Sequence, residues 1–189
     1  MAARVLSISG GALRFSLHGG PGGQPYLAAA EPRVRVGGQL GAFQSGLFLV
    51  RFRSAIVPGY DIAFELWPVS RDWRDGGLQF PAGDLTGPVR AIIGQVGVPF
   101  GNPNLVISTH SSFTRWHTAT IEWRDRTVRF FLDGREIGPS HPFTPTSPLR
   151  WLLYAGPEIS SASNTEGHAG QLQVAWVAAY VPRAIRRAG

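Results

Sequence analysis

Two carboxylates stand four residues apart in the segment Asp61-Ile62-Ala63-Phe64-Glu65. If the segment forms a β-strand, both acids lie on one face of it. A pair of carboxyl groups can supply a nucleophile and a general acid or base. In a regular strand their Cα atoms are about 13 Å apart, so side-chain convergence or a bulge must close the gap. The alternative interpretation is that the two acids offset Arg51 and Arg53 on a neighbouring strand.

The remaining reactive residue types form no recognisable site. The chain has no cysteine, which excludes disulfides, thiolate metal sites and cysteine nucleophiles. Four histidines lack a partner at metal-ligand spacing: His18, His110, His141 and His168. The fifth, His117, is predicted to be structural. No G-x-S-x-G elbow occurs, and the glycine-rich run 19–23 precedes no predicted helix. The sequence therefore predicts no metal and no cofactor.

The elements that must position the two acids are predicted to be strands. Glycine and proline recur roughly every 8–12 residues between runs of β-branched and aromatic residues, which is typical of a sandwich or barrel. Gly10-Gly11 and Asp133-Gly134 favour hairpin turns. Strands are expected at residues 4–9, 12–17, 46–54, 59–68, 86–96, 118–123, 127–132 and 171–180. No linker or repeat appears, so we expect one domain over residues 1–182 and a basic tail over 183–189.

The segment from Asp75 to Leu85, D-G-G-L-Q-F-P-A-G-D-L, resembles the active-site strand of family 16 glycoside hydrolases in the variant D-G-E-I-D-F-P-E-G-D-L. Three other segments resemble the family in the same order. They are Gly59-Tyr60 leading through Leu66-Trp67-Pro68 to Asp72-Trp73, the hairpin formed by 116–123 and 128–134, and the closing strand 174–180. The resemblance extends from about Val5 to Pro182. It implies an antiparallel β-sandwich, or jelly roll, of the concanavalin A-like lectin and glucanase type.

The resemblance also implies where the family's three acids would stand. The nucleophile, the assisting Asp and the acid/base match Gly77, Gln79 and Ala82. The outer two positions are five residues apart, a spacing that a β-bulge returns to one face. Since glycine and alanine carry no functional group, the resemblance predicts a catalytically degenerate member that is not an enzyme.

Further differences from the family lie outside this strand. Gly94 or a neighbour matches a His of the family, while Tyr154 and Gly156 match a Gln and a Glu. Ala175 stands where many relatives have an Asp that binds a structural calcium, so the resemblance argues against that ion.

The retained aromatic residues favour a non-catalytic protein that binds a polysaccharide or oligosaccharide, because sugar rings stack on aromatic faces. The candidate ligand-binding residues are Trp67, Trp73, Gln79, Trp151 and Tyr154. One alternative is a structural or interaction module, which predicts a cleft filled by bulky side chains. Another is an active glycosidase that uses Asp61 and Glu65 in place of the missing acids.

Composition limits the partners. The net charge is +6 and all 18 basic residues are arginines, which are scattered except for Arg183, Arg186 and Arg187. We interpret that cluster as a solvated tail, so no nucleic acid is expected. No apolar run reaches the ~18 residues of a membrane span. The start has no apolar stretch of signal-peptide length, so either the protein is cytosolic or a secretion segment lies outside this sequence. A protein partner or a homo-oligomer is left open.

Overall fold

The computed structural model describes residues 5–19, 25–36, 39–102, 105–157 and 167–182. Within these residues, two antiparallel sheets account for most of the strands and pack face to face around one core. The predicted all-β sandwich is confirmed. No helix in the described part of the chain is long and apolar enough to cross a membrane. The expected basic tail, with its three arginines, lies outside the described residues.

The strands are numbered in chain order. Their bounds are β1 Leu6–Ser9, β2 Ala12–His18, β3 Ala28–Ala30, β4 Arg35–Val36, β5 Gln39–Leu40, β6 Gly46–Ser54, β7 Tyr60–Pro68, β8 Gly77–Asp84, β9 Pro88–Gly94, β10 Leu105–Ser112, β11 His117–Arg124, β12 Thr127–Leu132, β13 Arg135–Glu136, β14 His141–Pro142, β15 Leu149–Pro157 and β16 Ala169–Tyr180. A short 3-10 turn, Trp73–Asp75, connects β7 to β8.

Each sheet has a simple strand order. The eight-stranded sheet runs β1-β2-β16-β6-β11-β12-β13, with β14 also paired to β12. The six-stranded sheet runs β10-β9-β8-β7-β15-β3. A separate pair is formed by β4 and β5. The segment with the two carboxylates, β7, therefore lies inside the six-stranded sheet, between β8 and β15.

Aromatic side chains from both sheets fill the core. Phe52 of β6 packs against Phe64 of β7 with ring centroids 6.3 Å apart. Phe80 of β8 lies 5.4 Å from Phe130 of β12. Because side chains alternate along a strand, burying Phe64 turns its neighbours to the outer face of the six-stranded sheet. The core thus decides which residues of β7, β8 and β15 are available for a site.

A β-bulge in β8 adjusts this alternation. Ala63 pairs with Ala82 and Glu65 with Gln79, so three steps along β8 match two along β7. The extra residue keeps Gln79 and Ala82 on the same face of the sheet. By contrast, β7 pairs with β15 without a shift from Tyr60 to Pro68, so β7 itself is regular.

Both predicted hairpins are present. Gly10 and Gly11, with φ of 59° and 73°, join β1 to β2. Asp133 and Gly134, with φ of 52° and 80°, join β12 to β13. His117 Nδ1 lies 2.6 Å from Asp133 Oδ2, which ties the start of β11 to this turn and fits the structural role predicted for the histidine.

Candidate functional site

A cleft of about 970 Å³ lies against the outer face of the six-stranded sheet. Its lining is a mixture of acidic, aromatic and small residues, with one arginine. The lining residues are Asp61, Ile62, Ala63, Glu65, Trp67, Gln79, Ala82, Gly83, Asp84, Arg90, Ile92, Phe100, Gly101, Asn102, Val106 and Tyr154. The structure therefore brings together both carboxylates of β7 and three of the five predicted ligand-binding residues: Trp67, Gln79 and Tyr154.

Strand register arranges the cleft floor in three cross-strand rows. The Glu65 row contains Leu152, Glu65, Gln79 and Ile92. The alanine row contains Tyr154, Ala63, Ala82 and Arg90. The Asp61 row contains Gly156, Asp61 and Asp84. The two small alanines thus form a shallow notch that separates Glu65 from the two aspartates.

Glu65 is a buried acid on the floor of the cleft. Only 8% of the residue is exposed, and one carboxylate oxygen accepts a hydrogen bond of 2.9 Å from Gln79 Nε2. Burial raises the pKa of Glu65 to about 7, although the Gln79 hydrogen bond and the positive charge of Arg150 act in the opposite direction. A carboxyl group that titrates near neutral pH can give and take a proton under ordinary conditions.

Asp84 and Asp61 are the acids on the other side of the notch. They pair directly across β7 and β8, a relation that places Cβ atoms about 4.5–5.5 Å apart. Asp84 Oδ1 accepts a 2.9 Å hydrogen bond from the backbone N–H of Thr86 and another from its hydroxyl. Arg90 Nη2 lies 3.9 Å from Asp84 Oδ2. Thr86 and Arg90 therefore fix the orientation of the Asp84 side chain.

Tyr154 lies at the β15 end of the notch. Its ring leans along the strand over Gly156, where a Cβ atom would overlap the tyrosine hydroxyl. Gly156 pairs with Asp61, so the hydroxyl is directed toward the Asp61 row. Burial raises the pKa of Tyr154, and the negative charges of Asp61 and Glu65 raise it further. The tyrosine thus remains protonated at neutral pH and can donate a hydrogen bond.

Trp73 occupies the space above Gly77. Only 3% of Trp73 is exposed, and a Cβ atom at Gly77 would come within 2.8 Å of its Cε3. A Cβ atom at Gly94, the partner of Gly77 on β9, would come within 2.6 Å of its Nε1. The ring also lies 4.9 Å from that of Trp67 and 5.4 Å from that of Phe100. Where the resemblance implies a nucleophile, the structure has an indole ring on two glycines.

Trp151, predicted as a ligand-binding residue, does not line the cleft. It is 2% exposed and packs in the core with its ring 5.5 Å from that of Phe48. The strand alternation explains this difference, since Tyr154 stands an odd number of residues away and faces outward. Trp73 is likewise buried, and contributes to the cleft by supporting Trp67.

The interpretation that Asp61 and Glu65 offset Arg51 and Arg53 is wrong. Both arginines belong to β6, in the opposite sheet. Arg51 lies 3.9 Å from Asp133, and the Arg53 guanidinium stacks 4.8 Å from the ring centre of Trp116. The two acids of β7 are therefore neutralised by neither arginine.

Sequence reasoning did not find every cleft residue. It missed Asp84, Arg90 and Phe100, which line the cleft beside the predicted residues. Asp84 could have been found from the bulge in β8, because that bulge sets which acid faces Asp61. Phe100 lies in a loop, where no periodicity indicates its direction. Among the described residues, no group of three or more His, Cys, Asp and Glu side chains could hold a metal ion.

Comparison with solved structures identifies the fold, whereas no protein-family model and no characterised protein sequence matches the chain. The structure is similar to one reported with endo-acting O-glycanases that human gut microbiota use to initiate mucin breakdown, with a TM-score of 0.76 and 14% identity over 94% of this chain and 82% of the other. It is similar to a non-specific endo-β-1,3(4)-glucanase from family 16, with a TM-score of 0.75 and 13% identity over 96% and 76%. A prokaryotic β-1,3-1,4-glucanase from a mouse hindgut metagenome gives 0.67 and 22% identity over 95% and 84%. The chain has the fold of the family 16 glycoside hydrolases.

These comparisons correct the prediction that the chain is not an enzyme. The proteins that share its fold over most of their length are described as glycan-cleaving enzymes, so the fold gives no ground for that prediction. The prediction rested on the residues at three positions. It gave too little weight to the other carboxylates that the same cleft contains.

Proposed function

We propose that the protein binds a glycan chain in the cleft of the six-stranded sheet and hydrolyses a glycosidic bond there. The observation that carries this proposal is Glu65, a buried carboxyl with a pKa of about 7 on the floor of the cleft. In glycoside hydrolysis, one carboxylic acid protonates the leaving oxygen while a second carboxylate assists at the anomeric carbon. Glu65 fits the first role, and Asp61, on the same face of β7, fits the second.

Aromatic side chains supply the binding surface. Trp67 and Phe100 both line the cleft, and their ring centres are 5.6 Å apart. Phe100 is 43% exposed. Sugar rings present apolar C–H faces that pack on such rings, and Tyr154 adds a hydroxyl for hydrogen bonding. The interaction-module alternative predicts a cleft filled by bulky side chains. A volume of about 970 Å³ favours glycan binding instead.

The shared fold suggests which glycans to test. The similar proteins are described as acting on β-1,3(4)-glucan, on β-1,3-1,4-glucan and on mucin through O-glycanase activity. These three substrates are the first candidates for this chain.

The test is release of reducing ends from β-1,3-glucan, mixed-linkage β-1,3-1,4-glucan and mucin O-glycans. We expect the wild-type protein to cleave at least one of them. Glu65→Gln keeps the size of the side chain and its contact with Gln79 but removes the proton donor, so the rate should fall about 10²-fold or more. Glu136→Gln is the matched control, because Glu136 lies in the opposite sheet and pairs with Arg129. Absence of cleavage on all three substrates, or equal rates for wild type and Glu65→Gln, contradicts the proposal.

A further inference from the structure

We propose that the outer face of the eight-stranded sheet binds an acidic polysaccharide, a glycan chain that carries carboxylate or sulfate groups. The binding surface, called the arginine surface below, consists of Arg14, Arg51, Arg53, Gln171 and Gln173. It lies on β2, β6 and β16, whereas the cleft lies on the other sheet. The inference therefore goes beyond the proposed hydrolysis and does not depend on it.

Strand register brings the three arginines together from distant parts of the chain. Gln173 of β16 pairs with Arg14 of β2 on one side and with Arg53 of β6 on the other. Arg51 is two residues from Arg53 on β6, so both side chains point to the same face of the sheet. Phe52, between them, is buried in the core, which turns the two arginines outward. The three cationic side chains thus share one face of the sheet.

The charges of Arg14 and Arg53 are not neutralised by the protein. In the described part of the chain, no carboxylate forms an ion pair with either arginine. Arg53 Nε instead donates a 2.9 Å hydrogen bond to Gln173 Oε1, and Arg14 Nη1 donates one of 3.3 Å to Gln171 Oε1. The glutamines orient the guanidinium groups but add no negative charge. They also occupy only part of the donors that each guanidinium offers.

Two further contacts hold the arginines of β6 in place. The guanidinium carbons of Arg53 and Arg51 lie 4.8 Å and 5.9 Å from the centre of the Trp116 ring. Arg51 Nη1 also donates a 3.2 Å hydrogen bond to Thr118 Oγ1 and lies 3.9 Å from Asp133 Oδ1. A guanidinium that stacks on a ring keeps its N–H groups at its edge, where an anion can accept from them. Because these side chains are already ordered, binding an anion costs less conformational entropy.

A pocket of about 280 Å³ lies beside Arg53 and both glutamines. Its lining contains no carboxylate and consists of Arg53, Ser54, Ala55, Thr114, Gln171 and Gln173. Since an arginine engages the amide oxygen of each glutamine, each amide offers its N–H groups to a ligand. Clefts for small ligands begin at about 300 Å³. The pocket is therefore of a size for one sugar unit, with amide and hydroxyl groups to bind its hydroxyls.

The spread of the arginines favours a polymer with repeated negative charges. Arg14 and Arg53 stand on strands separated by β16, so their backbones are about 10 Å apart. A chain with several anionic groups can reach both, and guanidinium groups bind carboxylate and sulfate oxygens through paired hydrogen bonds. Single-stranded nucleic acid binds best where aromatic rings stack on its bases. Since Arg53 covers the ring of Trp116, these contacts favour an acidic glycan instead.

The test is direct binding of dextran sulfate and polygalacturonate to the wild-type protein, measured by isothermal titration calorimetry. Neutral dextran, a single-stranded DNA oligonucleotide and phosphatidylserine vesicles are compared with them. We expect both acidic glycans to bind at low salt, dextran not to bind, and binding to be lost at about 1 M NaCl, where the Debye length is about 3 Å. Absence of binding, equal binding of dextran, or tighter binding of DNA or vesicles overturns the inference.

A pair of double variants separates the arginine surface from the general positive charge of the protein. Arg14→Gln with Arg53→Gln should weaken binding of both acidic glycans about tenfold or more, because two charge-assisted contacts are lost. Arg33→Gln with Arg135→Gln removes the same charge from exposed positions outside the arginine surface and should have little effect. Equal losses in the two double variants overturn the inference. Failure of the proposed hydrolysis would leave it intact, because the readout is binding alone.

A change at Gln173 tests the surface without removing an arginine. Gln173→Glu keeps the size of the side chain and its bond to Arg53, but places a carboxylate between Arg14 and Arg53. We expect affinity for the acidic glycans to fall about tenfold, with an unchanged or higher midpoint of thermal unfolding, because an ion pair forms. Gln95→Glu makes the same charge change at an exposed position after β9 and serves as the control. Unchanged affinity of Gln173→Glu contradicts the proposal.

Discussion

Glu65 shows how burial sets the chemistry of a single residue. Its neighbours on the cleft floor are Leu152 and Gln79, so its ionised form loses most of its contact with water. The resulting pKa near 7 is about that of an acid prepared to donate a proton at neutral pH. The same burial makes the ionised form of Glu65 a cost to the folded state.

This cost predicts a pH-dependent stability. The folded pKa of about 7 lies above the ordinary value of 4.5. The contribution of Glu65 is therefore fully present below about pH 4.5, and is lost as the pH rises through 7. Between pH 4.5 and pH 8, the free energy of unfolding of the wild type should fall by roughly 3 kcal/mol relative to Glu65→Gln. Urea unfolding of both proteins at the two pH values measures the difference, and an unchanged difference contradicts a raised pKa.

The resemblance predicted the strand position of Gly77 and Ala82 but not their three-dimensional surroundings. It placed both in the active-site strand, and Ala82 does line the cleft. It did not predict which residues of the neighbouring strands contact them, because those contacts depend on how β8 pairs with the strands beside it. The resemblance matches Gly77 and Ala82 to positions where the family has acids, whereas the closeness of Glu65 to Gln79 follows only from the pairing of β7 with β8.

At the scale of elements, alternate side chains of one strand face either the cleft or the core. Trp151 and Tyr154 lie three residues apart on β15, yet one fills the core and the other lines the cleft. Sequence patterns predicted most of the longer strands and the two hairpins. They missed β10, an edge strand of the six-stranded sheet. Its sequence, L-V-I-S-T-H-S-S, ends in polar residues, and its side chains alternate between half-buried and exposed.

The alternation predicts that removing two aromatic side chains of β15 has different effects on stability and on binding. Trp151→Ala leaves a cavity in the core and should lower the free energy of unfolding by about 3–5 kcal/mol. Tyr154→Ala should cost clearly less stability, because the side chain faces the cleft, but should weaken glycan binding. Chemical denaturation and calorimetric titration of each variant test this pair. Equal stability losses would indicate that both rings belong to the core.

At the scale of the whole molecule, only one of the two large sheets carries the cleft. The eight-stranded sheet carries the Arg129–Glu136 ion pair and the His117–Asp133 contact, while the six-stranded sheet carries the cleft. The overall architecture was predictable, because turns and alternating runs recur along the whole chain. The cleft lining was only partly predictable, since Phe100 comes from a loop.

This division gives a matched pair of tryptophans for a binding test. Trp67 lines the cleft, whereas Trp176 of β16 is 45% exposed on the other sheet. Trp67→Ala should reduce affinity for the cleaved glycan about tenfold or more, because an aromatic contact is lost along with its buried area. Trp176→Ala should leave the affinity unchanged. Isothermal titration calorimetry measures both, and equal losses would place the binding surface elsewhere.

The Trp73 ring and the two glycines beneath it also constrain how this chain can change by mutation. A side chain at Gly77 or Gly94 requires that the ring at Trp73 first become smaller. A smaller residue at Trp73 leaves a void until such a side chain arrives, and voids in packed regions destabilise a fold. Each order of substitution therefore passes through a weakened intermediate. An acidic side chain can occupy Gly77, the first residue of β8, only if Trp73 is also replaced and the protein tolerates the step between the two substitutions.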